Sequence, residues 1–311
     1  MPNRLIHILL LAIFLFSSAM SVADERRYIT TEDGLPSNAV RSIVQDADGF
    51  VWLGTDAGLC RYDGIKARLM VNTQETDQYV SALCVWGSRL LVGSSNGAYV
   101  YDSGLELFYS LNDSIRGLVT AFSVDADDNV WVATMNNGLF CYLSHSEVVK
   151  HYEFRETEGV VATVFVDASN QVWVLTRHSG DNFFRFNHAR NEFEAVEIPG
   201  GLSEGGMCVA QAQDGDILLG TWSDGLVAVS GNGDVRRLLN PQEDGVGTHI
   251  HALRSVGESC VLVGCDEGLV SFDLKSGSWS RNTPYGVASD ATRRFVYSLM
   301  ADSEGGFWVG S

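Results

Sequence analysis

The stretch Gly34–Gly64, which reads GLPSNAVRSIVQDADGFVWLGTDAGLCRYDG, carries the pattern that decides the fold. Its parts recur along the 311-residue chain and align on one position that is small in most units. That position is Gly54, Gly93, Ala133, Leu175, Gly220, Gly264 and Gly310, at steps of 39, 40, 42, 45, 44 and 46 residues. A period of this size is typical of solenoids, propellers and repeat arrays.

Each unit reads as four short β-strands. In the first unit an apolar run over 39–45 ends at an Asp-Ala-Asp-Gly turn, and strands follow over 50–55, 59–62 and 65–71. Four strands in about 40–45 residues make one propeller blade. The sequence therefore predicts an all-β fold, a seven-bladed β-propeller with four-stranded blades and an incomplete last blade.

The two ends of the repeat array predict how the propeller begins, closes and is interrupted. The seventh unit reaches only its second strand at Ser311, so we expect the β-propeller to occupy 24–311, with blades 1–6 complete and blade 7 truncated at 311. A natural chain rarely stops inside a buried strand, because unpaired backbone groups are costly there, so a longer polypeptide is expected. Residues 26–31 predict an outer strand that closes the ring.

Four units pair an aspartate with a tryptophan six residues later. The pairs are Asp46 and Trp52, Asp125 and Trp131, Asp167 and Trp173, and Asp302 and Trp308. The other units lack both residues at these positions. We expect the carboxylate to accept the indole N–H or to tie down the adjacent turn, which gives these residues a structural role.

The N-terminus predicts a secretory signal peptide over 1–23, with Arg4, an apolar core over 6–16 and the small-residue site Ser21-Val22-Ala23. An uncleaved membrane anchor is the alternative.

The net charge of −18 argues against nucleic acid as a partner, since binding requires a basic patch. The six cysteines lack zinc-site spacing and predict buried free thiols, with one or two disulfides as the alternative.

The chain shows no sequence motif for catalysis, and we expect no catalytic residue, metal or cofactor. His249 and His251 flank Ile250 at the start of an inner strand and should face the same side. They predict a metal-binding pair, a channel-lining pair, or simply two polar residues where a strand begins.

Ligand binding is expected on one face of the propeller. The turns between second and third strands share that face with the loops leading into the next unit. The candidate ligand-binding residues in these turns are Asp56, Asn96, Asn136, Arg177, His178, Trp222 and Asp224. Trp222 follows Gly220-Thr221 where the strand should end, and sugar recognition uses aromatic faces and planar hydrogen-bonding groups. Alternatively, Trp222 packs on a neighbouring loop and the others merely form turns.

The Gly34–Gly64 unit resembles the two-component regulator propeller repeat, and weaker copies cover most of the remaining chain. That resemblance implies the periplasmic sensor region of a hybrid two-component system, of which this chain is an N-terminal fragment. Such sensors often detect oligosaccharides and control polysaccharide-use genes through a histidine kinase phosphorelay. A second propeller, C-terminal signalling domains and a homodimer are expected with it.

We therefore expect this chain to be a non-enzymatic sensor module in the periplasmic part of an inner-membrane protein. The kinase would lie outside the chain, and the partner would be an oligosaccharide or another small extracytoplasmic ligand. Two alternatives stay open: a secreted propeller lyase similar to streptogramin lyase, and a carbohydrate-binding scaffold without signalling.

Overall fold

The computed structural model describes residues 27–73, 78–154, 160–177, 182–245, 247, 249–281 and 295–311. The expected signal sequence and His178 lie outside these residues. The described strands form six four-stranded antiparallel sheets and one two-stranded sheet, and strands that are consecutive in sequence are neighbours in each sheet.

The first three blades contain twelve strands. They are β1 (Val40–Gln45), β2 (Val51–Thr55), β3 (Gly58–Tyr62), β4 (Ala67–Met70), β5 (Ala82–Trp86), β6 (Arg89–Gly93), β7 (Ala98–Asp102), β8 (Leu107–Ser110), β9 (Val119–Val124), β10 (Val130–Thr134), β11 (Leu139–Leu143) and β12 (Val148–Tyr152).

The next three blades contain another twelve, and the two-stranded sheet follows them. These strands are β13 (Val161–Val166), β14 (Val172–Thr176), β15 (Phe183–Asn187), β16 (Glu192–Ala195), β17 (Gly206–Gln211), β18 (Ile217–Thr221), β19 (Leu226–Val229), β20 (Val235–Leu239), β21 (Ile250–Val256), β22 (Cys260–Cys265), β23 (Gly268–Asp273), β24 (Trp279–Ser280), β25 (Ser298–Ala301) and β26 (Phe307–Gly310). A 3₁₀ turn spans Thr31–Asp33, and a short helix, α1, spans Pro241–Asp244.

The first strand of each sheet is innermost, and these strands contact one another in cyclic order from β1 to β25 and back to β1. Three hydrogen bonds join the ends of this ring, and one of them runs from the Ser298 hydroxyl to the Val40 carbonyl at 3.3 Å. The Val40 N–H donates to the Ser311 carbonyl at 3.3 Å, and Ser303 N–H donates to Gln45 Oε1 at 2.8 Å. The all-β propeller with four-stranded blades is therefore confirmed.

Two sequence predictions differ from the structure. The sequence predicts seven blades with the last one incomplete, whereas the described residues form six blades and a separate two-stranded sheet of β25 and β26. The strand expected over 26–31 is wrong for its described part: residues 27–30 are not a strand, and the 3₁₀ turn begins at Thr31. This segment is tied to the first blade instead, since Arg27 donates to the carbonyls of Gly64 and Ile65.

The core consists of apolar clusters at the junctions between neighbouring blades. The aligned small position explains why the blades fit together. A Cβ atom on Gly54 would lie 2.7 Å from Val80 of the next blade, which is closer than real side-chain contacts allow. Where the chain carries Leu175 instead, the facing residue is Gly206, whose added Cβ would lie 2.6 Å from the leucine side chain. At this junction the large residue lies on the second strand and the small residue lies on the next blade, the reverse of the arrangement at Gly54 and Val80.

The aspartate and tryptophan pairs are bonded as the sequence suggests. One carboxylate oxygen accepts the indole N–H at 2.7, 3.0, 2.8 and 2.9 Å in the four pairs that begin at Asp46, Asp125, Asp167 and Asp302. The other oxygen accepts two backbone N–H groups of the adjacent turn, as Asp46 does from Asp48 and Phe50. Each aspartate thus joins the turn after the inner strand to the second strand.

All six cysteines are free thiols, as the sequence favours, but only Cys60, Cys141 and Cys265 are buried, and the other three are partly buried. Among the described residues, no helix has the length and apolar character needed to cross a membrane.

Candidate ligand-binding site

A β-bulge near the start of an inner strand supplies the first set of candidate side chains. In five blades the pairing between the first and second strands skips one residue of the inner strand. Bulges re-aim side chains and are common next to functional sites. The skipped residues are Arg41, Thr120, Ala162, Met207 and His251.

The second set follows the second strand of each blade. The backbone N–H of Arg177 donates to the Val160 carbonyl at 3.2 Å, and that of Trp222 donates to the Gly205 carbonyl at 3.2 Å. Asp56 and Met135 make the same bond in their blades. The turn residue is thereby held beside the start of the inner strand. We call this side of the propeller, where second strands end and inner strands begin, the variable face.

On the variable face an unbroken series of rings runs from the fifth blade to the two-stranded sheet. The ring centroids of Trp222 and His249 are 4.0 Å apart, those of His251 and Phe295 4.6 Å, and those of Phe295 and Tyr297 5.0 Å. His251 also lies edge-on to Trp222 at 6.3 Å. The side chain of Phe295 is 39% exposed, so this apolar surface is open to solvent.

An arginine lies at each end of these rings. The guanidinium carbon of Arg177 lies 5.2 Å from the Trp222 ring centroid, and that of Arg41 lies 4.0 Å from the Tyr297 ring centroid. Both distances are within the range of cation–π attraction. We name the set Arg177, Trp222, His249, His251, Phe295, Tyr297 and Arg41 the Trp222 arc.

The charged groups of the Trp222 arc differ in their surroundings. Arg41 makes a bidentate ion pair with Asp56 at 2.6 and 2.9 Å, and this bonding raises the pKa of the guanidinium. Burial lowers the pKa of Arg177, whose Nε is buried without a hydrogen-bond partner. His249 Nδ1 lies 3.1 Å from a carboxylate oxygen of Asp266.

His251 is neutral at physiological pH. Burial lowers the pKa of its imidazole to about 4; Asp266 acts in the opposite direction, while His249, Arg177 and Arg41 lower it further. Its Nε2 is buried without a hydrogen-bond partner. A neutral imidazole with an unpaired nitrogen can accept or donate one hydrogen bond to a bound molecule.

The structure brings some predicted residues together and separates others. Trp222 and Arg177 are in contact, and Asp56 reaches the arc through Arg41. Asp224 accepts hydrogen bonds from the backbone and hydroxyl of Ser203 and pairs with Arg237, so it organises loops within its own blade. The exposed residues Asn96 and Asn136 lie in the equivalent turns of the second and third blades, on another part of the ring.

The two histidines occupy the shared face predicted for them, as members of the aromatic series. Within the described ranges no cluster of three or more His, Cys, Asp or Glu side chains has the arrangement of a metal site.

Sequence reasoning missed Arg41, Met207, Phe295 and Tyr297. A signal for three of them was present in the repeat. The residue 13 positions before the aligned small residue is Arg41, Thr120, Ala162, Met207, His251 or Tyr297 in six of the seven units. It is the bulge position in five of them and varies from small to aromatic to charged, unlike the repeated framework.

Sequence comparison identifies the repeat itself. Residues 34–57 match the family model described as two component regulator propeller. The resemblance drawn from Gly34–Gly64 is thus confirmed for this first repeat. No curated protein shows significant similarity to the chain.

Two solved structures with similar folds come from B. thetaiotaomicron proteins described as hybrid two component systems. The extracellular domain of BT4673 superposes with a TM-score of 0.75 at 18% identity, over 92% of this chain and 38% of that chain. The extracellular domain of BT3049 superposes with a TM-score of 0.72 at 17% identity, over 92% and 40%. The chain thus spans about two fifths of those extracellular domains.

The propeller also resembles virginiamycin B lyase from Staphylococcus aureus, solved as a catalytically inactive histidine-to-alanine variant with quinupristin. The TM-score is 0.68 at 11% identity, over 88% of this chain and 92% of that chain. Likeness at these identities shows that the proteins share the propeller fold.

Proposed function

We propose that this chain is the ligand-binding propeller of an extracytoplasmic sensor in a hybrid two-component system, and that its ligand is an oligosaccharide. The regulator propeller repeat and the fold of the two extracellular domains support the sensor role. In this proposal the chain lies in the periplasmic part of an inner-membrane protein. A second propeller and a histidine kinase outside the chain pass the signal to polysaccharide-use genes, and the sensor is a homodimer.

The Trp222 arc is the observation that carries the ligand class. Sugar rings present apolar C–H faces that pack on aromatic rings, and their hydroxyls bond to planar polar groups. The arc offers both: the half-buried Trp222 and the exposed Phe295 supply apolar surface, while His251 Nε2 supplies an unpaired polar atom. The chain shows no comparable run of neighbouring rings elsewhere on the variable face among its described residues.

Calorimetric titration of neutral and acidic oligosaccharides tests this function. At least one should bind, and Trp222→Ala and Phe295→Ala should each weaken it about tenfold or more, which corresponds to about 1.4 kcal/mol. Tyr28→Ala is the control, because Tyr28 is 61% exposed and lies outside the arc. Binding of no oligosaccharide, or full affinity in both arc variants, would remove the proposal.

One observation favours a second function, a lyase. His251 is a neutral imidazole with an unpaired buried nitrogen, which is the form required of a general base near neutral pH. The virginiamycin B lyase structure was made inactive by changing a histidine. Incubation with quinupristin tests this alternative: bond cleavage that disappears in His251→Ala would support it, and an unchanged substrate would exclude this reaction.

A further inference from the structure

The two arginines of the Trp222 arc differ in whether a carboxylate balances their charge. Arg41 holds both oxygens of Asp56, so its charge is balanced inside the protein. Arg177 makes no ion pair within the described part of the chain, and its Nη2 lies 2.9 Å from the thioether sulfur of Met207. A thioether is a weak acceptor, and a guanidinium has five N–H donors to satisfy.

The second carboxylate that borders the arc, that of Asp266, is also engaged. Asp266 lies 3.1 Å from His249 Nδ1 and also accepts the His249 backbone N–H at 3.2 Å. Among the described residues Arg177 therefore has no counter-charge, and it lies beside Trp222 in a chain of net charge −18. A partly buried cation without a counter-charge is costly unless an anion arrives from outside.

The position of Arg177 is fixed by the fold, which suits a binding group. Its backbone N–H is bonded to the Val160 carbonyl, and Thr176 before it is fully buried at the end of β14. The guanidinium lies over the Trp222 ring, so a sugar packed on the arc would meet it at one end. A ligand anion there would lie opposite guanidinium N–H donors that the fold already holds in position.

We propose that the oligosaccharide recognised by the Trp222 arc is acidic and that Arg177 binds the carboxylate of a uronic acid residue. This inference rests on the proposed function and names the ligand class of the same site. A carboxylate is planar and matches the two parallel N–H donors of a guanidinium. The strongly negative chain repels long polyanions, so a short oligosaccharide with few charges fits best.

The test compares an acid with its ester. Calorimetry would measure trigalacturonic acid, trimannuronic acid and their methyl esters, with maltotriose and cellotriose as neutral probes. Esterification removes the charge and keeps the sugar ring. An acid should bind at least ten times more tightly than its ester, and the difference should shrink as salt is added.

Variants of Arg177 assign the effect. Arg177→Met should weaken binding of the acid by 10- to 100-fold and leave the ester nearly unchanged, and Arg177→Lys should fall between because it keeps the charge and loses the fork. Arg116→Met, an exposed arginine outside the arc, is the control. Thermal unfolding checks that each variant is folded.

The inference would be overturned by equal affinity for acid and ester, or by equal losses of both in Arg177→Met. Arg177-dependent binding of a sulfated disaccharide without binding of any uronate would overturn it as well. A neutral sugar that binds through Trp222 would end this inference and leave the sensor proposal intact. If no sugar binds, the proposed function falls as well.

Discussion

The two faces of the propeller follow opposite rules. On the face where inner strands end, which we call the Asp–Trp face, four blades repeat the same bonded pair. On the variable face, the residue after the second strand is Asp56, Met135, Arg177, Trp222 or Asp266, which differ in size, polarity and charge. The repeated residues stabilise each blade internally. A binding site for one ligand, in contrast, requires residues that differ from blade to blade.

The variable face is itself uneven. In the second and third blades it carries Ser95, Thr120 and Met135, which are uncharged. The series of neighbouring rings with an arginine at each end forms the Trp222 arc, from the fourth blade through the two-stranded sheet to the first blade. A ligand bound to the arc would therefore lie on one side of the ring of inner strands.

Removing one tryptophan from each region should give the largest difference. Trp52 is 2% exposed, so Trp52→Ala should lower the free energy of unfolding by about 3–5 kcal/mol. Trp222 is half-buried on the variable face, and Trp222→Ala should cost at most about 1 kcal/mol. Urea unfolding measures both values. Similar losses would show that the two faces contribute alike to stability.

The aspartate of the repeated pair should have the next largest effect. Asp125 accepts hydrogen bonds from Trp131, Asn129 and Asp127, and Asp125→Ala leaves these donors unpaired. The expected loss is about 1–3 kcal/mol. Asp127→Ala in the same turn is the matched control, since that exposed residue takes part only through its backbone N–H. Equal stability of the two variants would refute the structural role of the pair.

The smallest expected effect is a pH dependence on the variable face. The pKa of His251 falls to about 4 in the folded protein from its usual 6.5. The unfolded chain therefore takes up a proton first, so stability present above pH 6.5 is lost as pH falls towards 4. Between pH 7 and pH 5 this loss should be about 1 kcal/mol, allowing for partial exposure.

Chemical unfolding of wild type and His251→Phe at both pH values checks this effect. The phenylalanine variant should lose less stability than wild type between pH 7 and pH 5. The exposed His145 provides a control through His145→Phe, which should leave the wild-type difference unchanged. A pH dependence that is the same in wild type and His251→Phe would show that His251 titrates normally.

Much of the framework could be predicted because it repeats. The pair seen at Asp46 and Trp52 appears in four copies, and each copy strengthens the prediction that the aspartate and tryptophan are bonded to each other. Phe295 gave no such signal, and Tyr297 shared only its place in the unit with Arg41 and His251, because residues that differ from their counterparts add no repeated pattern. Their grouping with His251 depends on the contact between the neighbouring inner strands β21 and β25, and the contact of Tyr297 with Arg41 depends on ring closure between β25 and β1.

The missing outer strand shows a second limit. Residues 26–31 have a strand-like pattern, but a strand forms only when it has a partner to pair with, and the described part is held by Arg27 on the first blade. Local pattern predicts propensity, whereas pairing depends on the rest of the sheet.

A crystal structure of the chain with a bound acidic oligosaccharide tests the central claim most directly. The account predicts a sugar ring packed on the Trp222 arc, with its carboxylate within about 3 Å of the Arg177 guanidinium nitrogens. A sugar bound on the Asp–Trp face, or beside the second and third blades, would contradict the assignment of function to the residues that differ between blades.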